Sequence, residues 1–256
     1  WASGNWSLIR RANYIIANIE RGRANVTKDV FCHFKGLGYF WRAYGYYAKV
    51  TTFSDVPWID HVMRTDDEAL YAARDDRELV MHHVLEDINI ACDSLSTAAA
   101  YFKTSRVTVN KYVALAFKAR LCLYEGTYRK YHSVNPSTQQ PWNNKYETAE
   151  DFLKEAVKAC EELINSKKFS LHKTYKELFT SEVIPTDEVI WSCQYSSALP
   201  KYHDLTWYFN SATYGQMYSP TAAFVNHYLK TDGKPVLDHH LTLANIYTGR
   251  DGRMAQ

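Results

Sequence analysis

Residues that break helices are scarce in this chain: 256 positions hold only 10 glycines and 7 prolines. That scarcity argues against a loop-rich protein and for mostly helical structure. Net charge is nearly absent as well. Thirty basic side chains stand against 28 acidic ones, a balance of +2, so no electrostatic partner is dictated and no nucleic acid is expected. No apolar run approaches the roughly 18 residues of a transmembrane helix. The charged, apolar and small-residue regions of a signal peptide are missing too. Cysteines are few and scattered (Cys32, Cys92, Cys122, Cys160 and Cys193), with no CxxC pair. Their placement predicts buried free thiols acting as small hydrophobes, and composition alone points to a reducing compartment.

Aromatic rings are what the chain has in excess, with 20 Tyr and 7 Trp. Such flat, half-polar rings suit a ligand-holding surface, although cores use them too. The length allows one large domain or two modest ones.

The stretch Tyr39 to Pro57, YFWRAYGYYAKVTTFSDVP, organises the rest. Phe40, Ala43, Tyr44, Tyr47 and Val50 recur at spacings of three and four, one stripe of a helix. Thr51 and Thr52 weaken that helix, Pro57 turns Val56 away from helical backbone, and Asp55 is placed to fold onto its own turn. Further helices are predicted over Trp6–Arg23, about Val30–Thr52, Asp75–Leu95, within Arg106–Tyr131, and over Thr148–Ser166. The last opens on a capping-box pair, Thr148 and Asp151. Gly36 and Gly38 lie within helical periodicity, with Trp at position 41 and no preceding strand, so a phosphate loop is rejected. Asp66, Asp67 and Glu68 lack the spacing of a calcium loop and read as a solvated turn. His82 and His83 are neighbours, about 100° apart on a helix, and read as unable to share a metal. No metal and no cofactor is expected. Val189–Tyr195 is β-branched and aromatic and predicts a short strand, with Trp191 in the core.

Five stretches carry a resemblance. They are the Trp-Ile-Ala-Asn spacing of Trp6 to Asn13, RAYGYYAKVTTFSDVP, the RVTVNKYVALAFKARLCLY run from Arg106, YKELF followed by EVIW, and the DGKP and GRDGRM motifs near residues 232 and 249. Together they resemble the SusD/RagB family of surface lipoproteins, which capture nutrients, mostly glycans, for a TonB-dependent outer-membrane transporter. Two positions depart from its usual wording: Ser54 and Gly252 stand where Gly and Pro are common. The resemblance implies a mostly α fold, a tetratricopeptide-like helix-pair solenoid with an irregular aromatic-rich segment and a few short strands. It implies one incomplete domain, with helical scaffold over about 1–180 and strand, ligand loop and the DGKP and RDGR motifs over about 181–256. An N-terminal portion with its lipidated Cys, and a long C-terminal portion, are expected outside this chain. It also implies a cell-surface location, which is preferred here because buried thiols persist without a reducing bath.

For binding, Ser196–Pro220 is polar, aromatic and non-periodic. Trp207 leads the candidates because polar or half-polar residues flank it, followed by Tyr202, Tyr208, Tyr214, Tyr218 and Asn210. Trp6 and Trp1 come next, since an early tryptophan-bearing segment supplies ligand contacts in some relatives. Trp142 is a third region, equally suited to facing the transporter. No GxSxG, HExxH or Walker loop is present. Two opposed carboxylates for a glycosidase could still be assembled by folding from 28 acids, so an α/α-type glycoside hydrolase stays as an alternative, beside peptide capture or a pure scaffold.

Overall fold

Five long helices follow the predicted order: α1 (Ser7–Asn18), α2 (Lys28–Phe53), α3 (Arg77–Ser94), α4 (Lys111–Tyr131) and α5 (Ala149–Asn165). Short helices α6 (Glu177–Thr180), α7 (Leu205–Asn210) and α8 (Ala222–Asn226) come after them. The computed structural model describes residues 6–103, 106–195, 198, 200, 202–213, 215, 219–236, 242 and 245–255. The chain divides into two compact units, one of residues 1–170 with 186–192 and one of 171–185 with 193–256.

In the first unit each helix packs on its neighbour in sequence, giving the stacked helix pairs that the resemblance implies. Helix starts follow side-chain caps. Thr27 accepts from the Val30 N–H, Asp76 from Glu78, and Asn110 from both Tyr112 and Val113. Thr148 and Asp151 form the expected reciprocal box. Side chains thus satisfy one or two of the orphan donors in the first turns of α2 to α5, while α1 starts without a side-chain cap. Close approach comes from glycine. A Cβ on Gly38 would sit 2.9 Å from Ile16, and one on Gly126 would sit 2.7 Å from Leu153. These glycines are helix-contact points, in line with the rejection of a phosphate loop. Phe40, Tyr46, Val80, Met81, Ile88, Leu121 and Phe152 form the centre of the core.

Several expectations need correcting. Helix α2 ends at Phe53, one residue past the expected Thr52, with the Thr51 and Thr52 hydroxyls donating back to the Tyr47 and Ala48 carbonyls. The stop comes at Ser54, with φ 63° and ψ −91°. Asp55 does not fold onto its own turn; its carboxylate accepts the Arg77 N–H at the start of α3 (3.2 Å), where a negative charge is favoured. Val189–Tyr195 carries no regular secondary structure, no strand pairs with it among the described residues, and the Ser192 N–H goes to the Arg106 carbonyl instead. Isolated bridges take the place of the predicted strands. Trp191 lies at the edge of the core, 6.0 Å from Phe40 and from Trp41, rather than inside it. Only Cys92 and Cys122 are buried; Cys32 is half-buried, and Cys160 and Cys193 are exposed.

In the second unit the DGKP and GRDGR stretches meet. The Thr231 N–H donates to the Gly249 carbonyl (3.0 Å) and the Asp251 N–H to the Leu229 carbonyl (2.9 Å). Buried Arg250 donates to the carbonyls of Val225 and Tyr228 just behind α8. The motif is thus a cap and a clasp.

Candidate functional site

The loop from Pro57 to Arg74 is held from below by three residues of the family-like stretches. Asn13 Nδ2 donates to the carbonyls of Ile59 (2.8 Å) and His61 (3.0 Å). Arg42 Nη1 donates to the Asp60 carbonyl (3.1 Å) and to Asn13 Oδ1 (3.2 Å). The Tyr46 hydroxyl accepts the Ile59 N–H at 2.6 Å, and burial raises its pKa. These backbone groups have no ladder of their own, so buried side chains satisfy them. Across the loop, His61 reaches Asp60 (3.1 Å) and Asp67 (2.9 Å). Hydrogen bonds from Asp60 and then Asp67 raise the His61 pKa, and the Ala69 N–H together with His61 lowers that of Asp67.

Held in this way, the loop forms one wall of an open cleft of about 670 Å³ lined by Trp6, Pro57, Ile59, Met63, Leu70 and Arg74. A narrower space of about 180 Å³ adjoins it, sharing Trp6, Ile59 and Met63 and adding Arg10, Asn13 and His61. The Trp6 ring stands edge-on to Tyr46 (6.2 Å between centroids), with the Lys49 ammonium 5.1 Å from its centre. Apolar walls with a few polar and cationic groups suit a small polar ligand with an apolar face.

In the second unit the aromatic-rich segment forms α7. Tyr202, Trp207 and Phe209 are 69%, 51% and 57% exposed. Tyr208 is 39% exposed and stands edge-on to Trp207, 5.2 Å away at 76°. Asn210 is exposed at the end of α7. The structure therefore joins Trp207 with Tyr208 and puts Tyr202 and Asn210 on the same short segment, while Trp6 belongs to the cleft of the other unit. Trp1, Tyr214 and Tyr218 lie outside the described residues. Trp142 is tied down: its indole N–H donates to the His132 carbonyl and Arg129 lies 5.2 Å from its ring. Sequence reasoning missed Phe209, which shares the Trp207 segment, and the cleft residues Ile59, Met63 and Leu70, which follow no periodicity.

One geometric argument from the sequence fails. His82 and His83 do come together, because Glu86 lies one turn on from both. His83 Nδ1 is 2.9 Å and His82 Nε2 3.7 Å from its carboxylate oxygens. One ligand atom from each of the three lies within 4.8 Å of the others. No helix among the described residues is long and apolar enough to cross a membrane.

Comparison with known proteins agrees with the sequence resemblance. Residues 1–123 match the SusD-like family model described as starch-binding, associating with outer membrane. No curated protein matches the sequence. Among solved structures, a SusD-like carbohydrate-binding protein of Bacteroides fragilis NCTC 9343 matches with TM-score 0.68 at 19% identity, over 98% of this chain and 45% of its own. A second SusD-like protein of that strain gives TM-score 0.64 at 20% identity, over 95% of this chain and 46% of its own. Surface glycan-binding protein A of Bacteroides uniformis gives 0.57 at 18%, over 77% and 38%. The chain spans less than half the length of each.

Proposed function

Residues 1–123 belong to the SusD-like family and the chain as a whole has the SusD-like fold, and from that premise we propose that the protein captures oligosaccharides without catalysis. The captured glycan passes to a SusC-like TonB-dependent transporter at the outer-membrane surface, where a lipid anchor outside this chain holds the protein. One observation carries the reading. Tyr202, Trp207 and Phe209 keep half or more of their surface in water within eight residues of chain. Exposed rings so concentrated mark a binding surface. Two neighbours in fold bear names that speak of carbohydrate or glycan binding, which favours sugar as the ligand class.

The magnitudes fit capture. A sugar face covering about half of an aromatic's roughly 150–250 Å² contributes on the order of 2 kcal/mol. Millimolar binding needs about 4 kcal/mol net, so two or three platforms with hydrogen bonds from groups such as Asn210 are the minimum. Trp6 supplies a further candidate platform within its cleft. Asp60 and Asp67, two carboxylates of the cleft loop, are both engaged by His61, an arrangement suited to holding a loop rather than to acid–base work.

Affinity electrophoresis of the intact protein through a panel of polysaccharides, beside Trp207→Ala and Trp6→Ala, tests this. Retardation by one glycan that vanishes in Trp207→Ala supports capture on α7; loss in Trp6→Ala alone moves capture to the cleft. Absence of retardation by any glycan, with the protein folded, favours peptide capture or scaffolding. Release of reducing ends would make it a hydrolase.

A further inference from the structure

We propose that His82, His83 and Glu86 form a binding site for a zinc-class divalent cation. It lies on α3 in the first unit and does not depend on the glycan reading. A tetrahedral zinc holds its ligands at about 2.0–2.2 Å, which places neighbouring donor atoms about 3.3 Å from each other. Here the histidine nitrogens stand 2.9 and 3.7 Å from the Glu86 oxygens, and the donors of all three lie within 4.8 Å of one another. Small side-chain rotations close the remaining gap. Two imidazoles and a carboxylate form a donor set for zinc and its borderline neighbours rather than for calcium or magnesium.

What separates this cluster from a chance grouping is the shell around it. His82 Nδ1 is hydrogen-bonded to both oxygens of Glu147 (2.9 and 3.1 Å). With its proton held there, Nε2 keeps a lone pair directed toward Glu86. Metal-bound histidines commonly show this carboxylate–imidazole arrangement, which fixes the tautomer and raises the basicity of the ligand. Both rings are also held flat against aromatic neighbours: His82 stacks on Tyr146 at 4.6 Å and His83 on Trp58 at 4.8 Å. The histidine side chains are 26% and 30% exposed and that of Glu86 55%, leaving an entry path and room for a water as fourth ligand.

The position gives the ion a role. The Trp58 ring lies tilted against Tyr46 (4.3 Å between centroids) and its backbone N–H donates to the Asp75 carboxylate (2.7 Å), so it roots the loop that walls the Trp6 cleft. A cation on His82 and His83 ties α3 to that loop root through Trp58, and to the α4–α5 connection through Glu147 and Tyr146. It is a structural staple, not a catalytic metal.

The test uses the intact, untagged protein, stripped with chelator, with Co2+ as spectroscopic probe and Zn2+ for calorimetry and melting. Expected are an intense four-coordinate visible band saturating at one Co2+ per chain and a Tm that rises with Zn2+. Glu86→Gln, an exposed position that leaves folding intact, should abolish the band. Glu147→Gln should keep the stoichiometry and weaken affinity 10- to 100-fold. A weak six-coordinate spectrum overturns the proposal. So does a band that survives in Glu86→Gln, or in a His82→Ala/His83→Ala variant with unchanged circular dichroism.

Discussion

Arg42 and Asp87 face each other across the α2–α3 interface in a two-pronged ion pair. Nε and Nη2 lie 2.7 and 2.8 Å from the two carboxylate oxygens, and the side chains are only 8% and 4% exposed. The same guanidinium reaches Asn13 and the Asp60 carbonyl, so one buried charge pair joins α1, α2, α3 and the cleft loop. Removing one partner leaves the other buried and uncompensated, which costs about 3–5 kcal/mol. Asp87→Ala is therefore expected to lower the unfolding free energy from urea titration by that much. The double variant Arg42→Met/Asp87→Leu, which buries no charge, should recover a large part of the loss. An unfolding free energy for Asp87→Ala within about 1 kcal/mol of the parent would show that the pair contributes little.

Ser54 offers a gain. Its φ of 63° with ψ of −91° is backbone that a Cβ opposes and glycine accepts. The resembling family usually has glycine here, and the dihedral supplies the reason. Ser54→Gly is expected to stabilise by about 1 kcal/mol net of the greater chain entropy of glycine, seen as a higher Tm. Ser54→Ala, which keeps the Cβ, should show no gain; equal gains for both would remove the backbone explanation.

How much was legible depends on the range of the interactions. The five long helices could be read within a few residues because periodicity and caps are local. Their ends at Phe53, Ser94 and Asn165 needed only Ser54, Leu95 and Ser166 just beyond. The roles of Asn13, Arg42 and Tyr46 could not be read locally, since their partners lie 11 to 48 positions away. A β-branched run at Val189 predicted a strand, but a strand needs a neighbour and none pairs with it among the described residues. Cys160 misled for a related reason. It shares an apolar face with Val157 and Ile164, and that face of α5 is 56% and 73% exposed at those two residues, so the stripe is wider than what covers it. At the candidate site the ring-bearing segment showed in residue types alone. The cleft did not, because Ile59, Met63 and Leu70 come from irregular backbone.

The cleft loop should respond to pH through His61. Its pKa is raised by Asp60 and Asp67, so the group contributes most below the ordinary histidine value of about 6.5, and the contribution fades as pH rises through the raised folded value. The Asp67 pKa is lowered, so its share is kept above the ordinary carboxylate range and is lost only as pH falls through the folded value. Between these limits, in mildly acidic solution, the staple is complete. Amide exchange of residues 62–71, corrected for intrinsic rates, should accelerate from pH 6 to pH 9 in the parent and stay level in His61→Gln. Parallel profiles in the two proteins would remove His61 as the cause.

The thiols offer a check on packing that needs no variant. Burial pushes Cys92 and Cys122 up to about 12, so neither access nor thiolate is available to a reagent at neutral pH. Cys160 and Cys193 are exposed and Cys32 is half-buried. An aromatic disulfide reagent at pH 8 should therefore modify two thiols rapidly and a third slowly, with the last two reacting only at the rate of unfolding. All five should react at once in denaturant. Because Cys92 and Cys122 lie in the core with Ile88, Leu121 and Phe152, their protection reports directly on the α3, α4 and α5 packing. Rapid reaction of four or five thiols in native buffer would mean that this packing does not hold in solution. Protection of those two with fast labelling of Cys160 would confirm that the outer face of α5 is open to water.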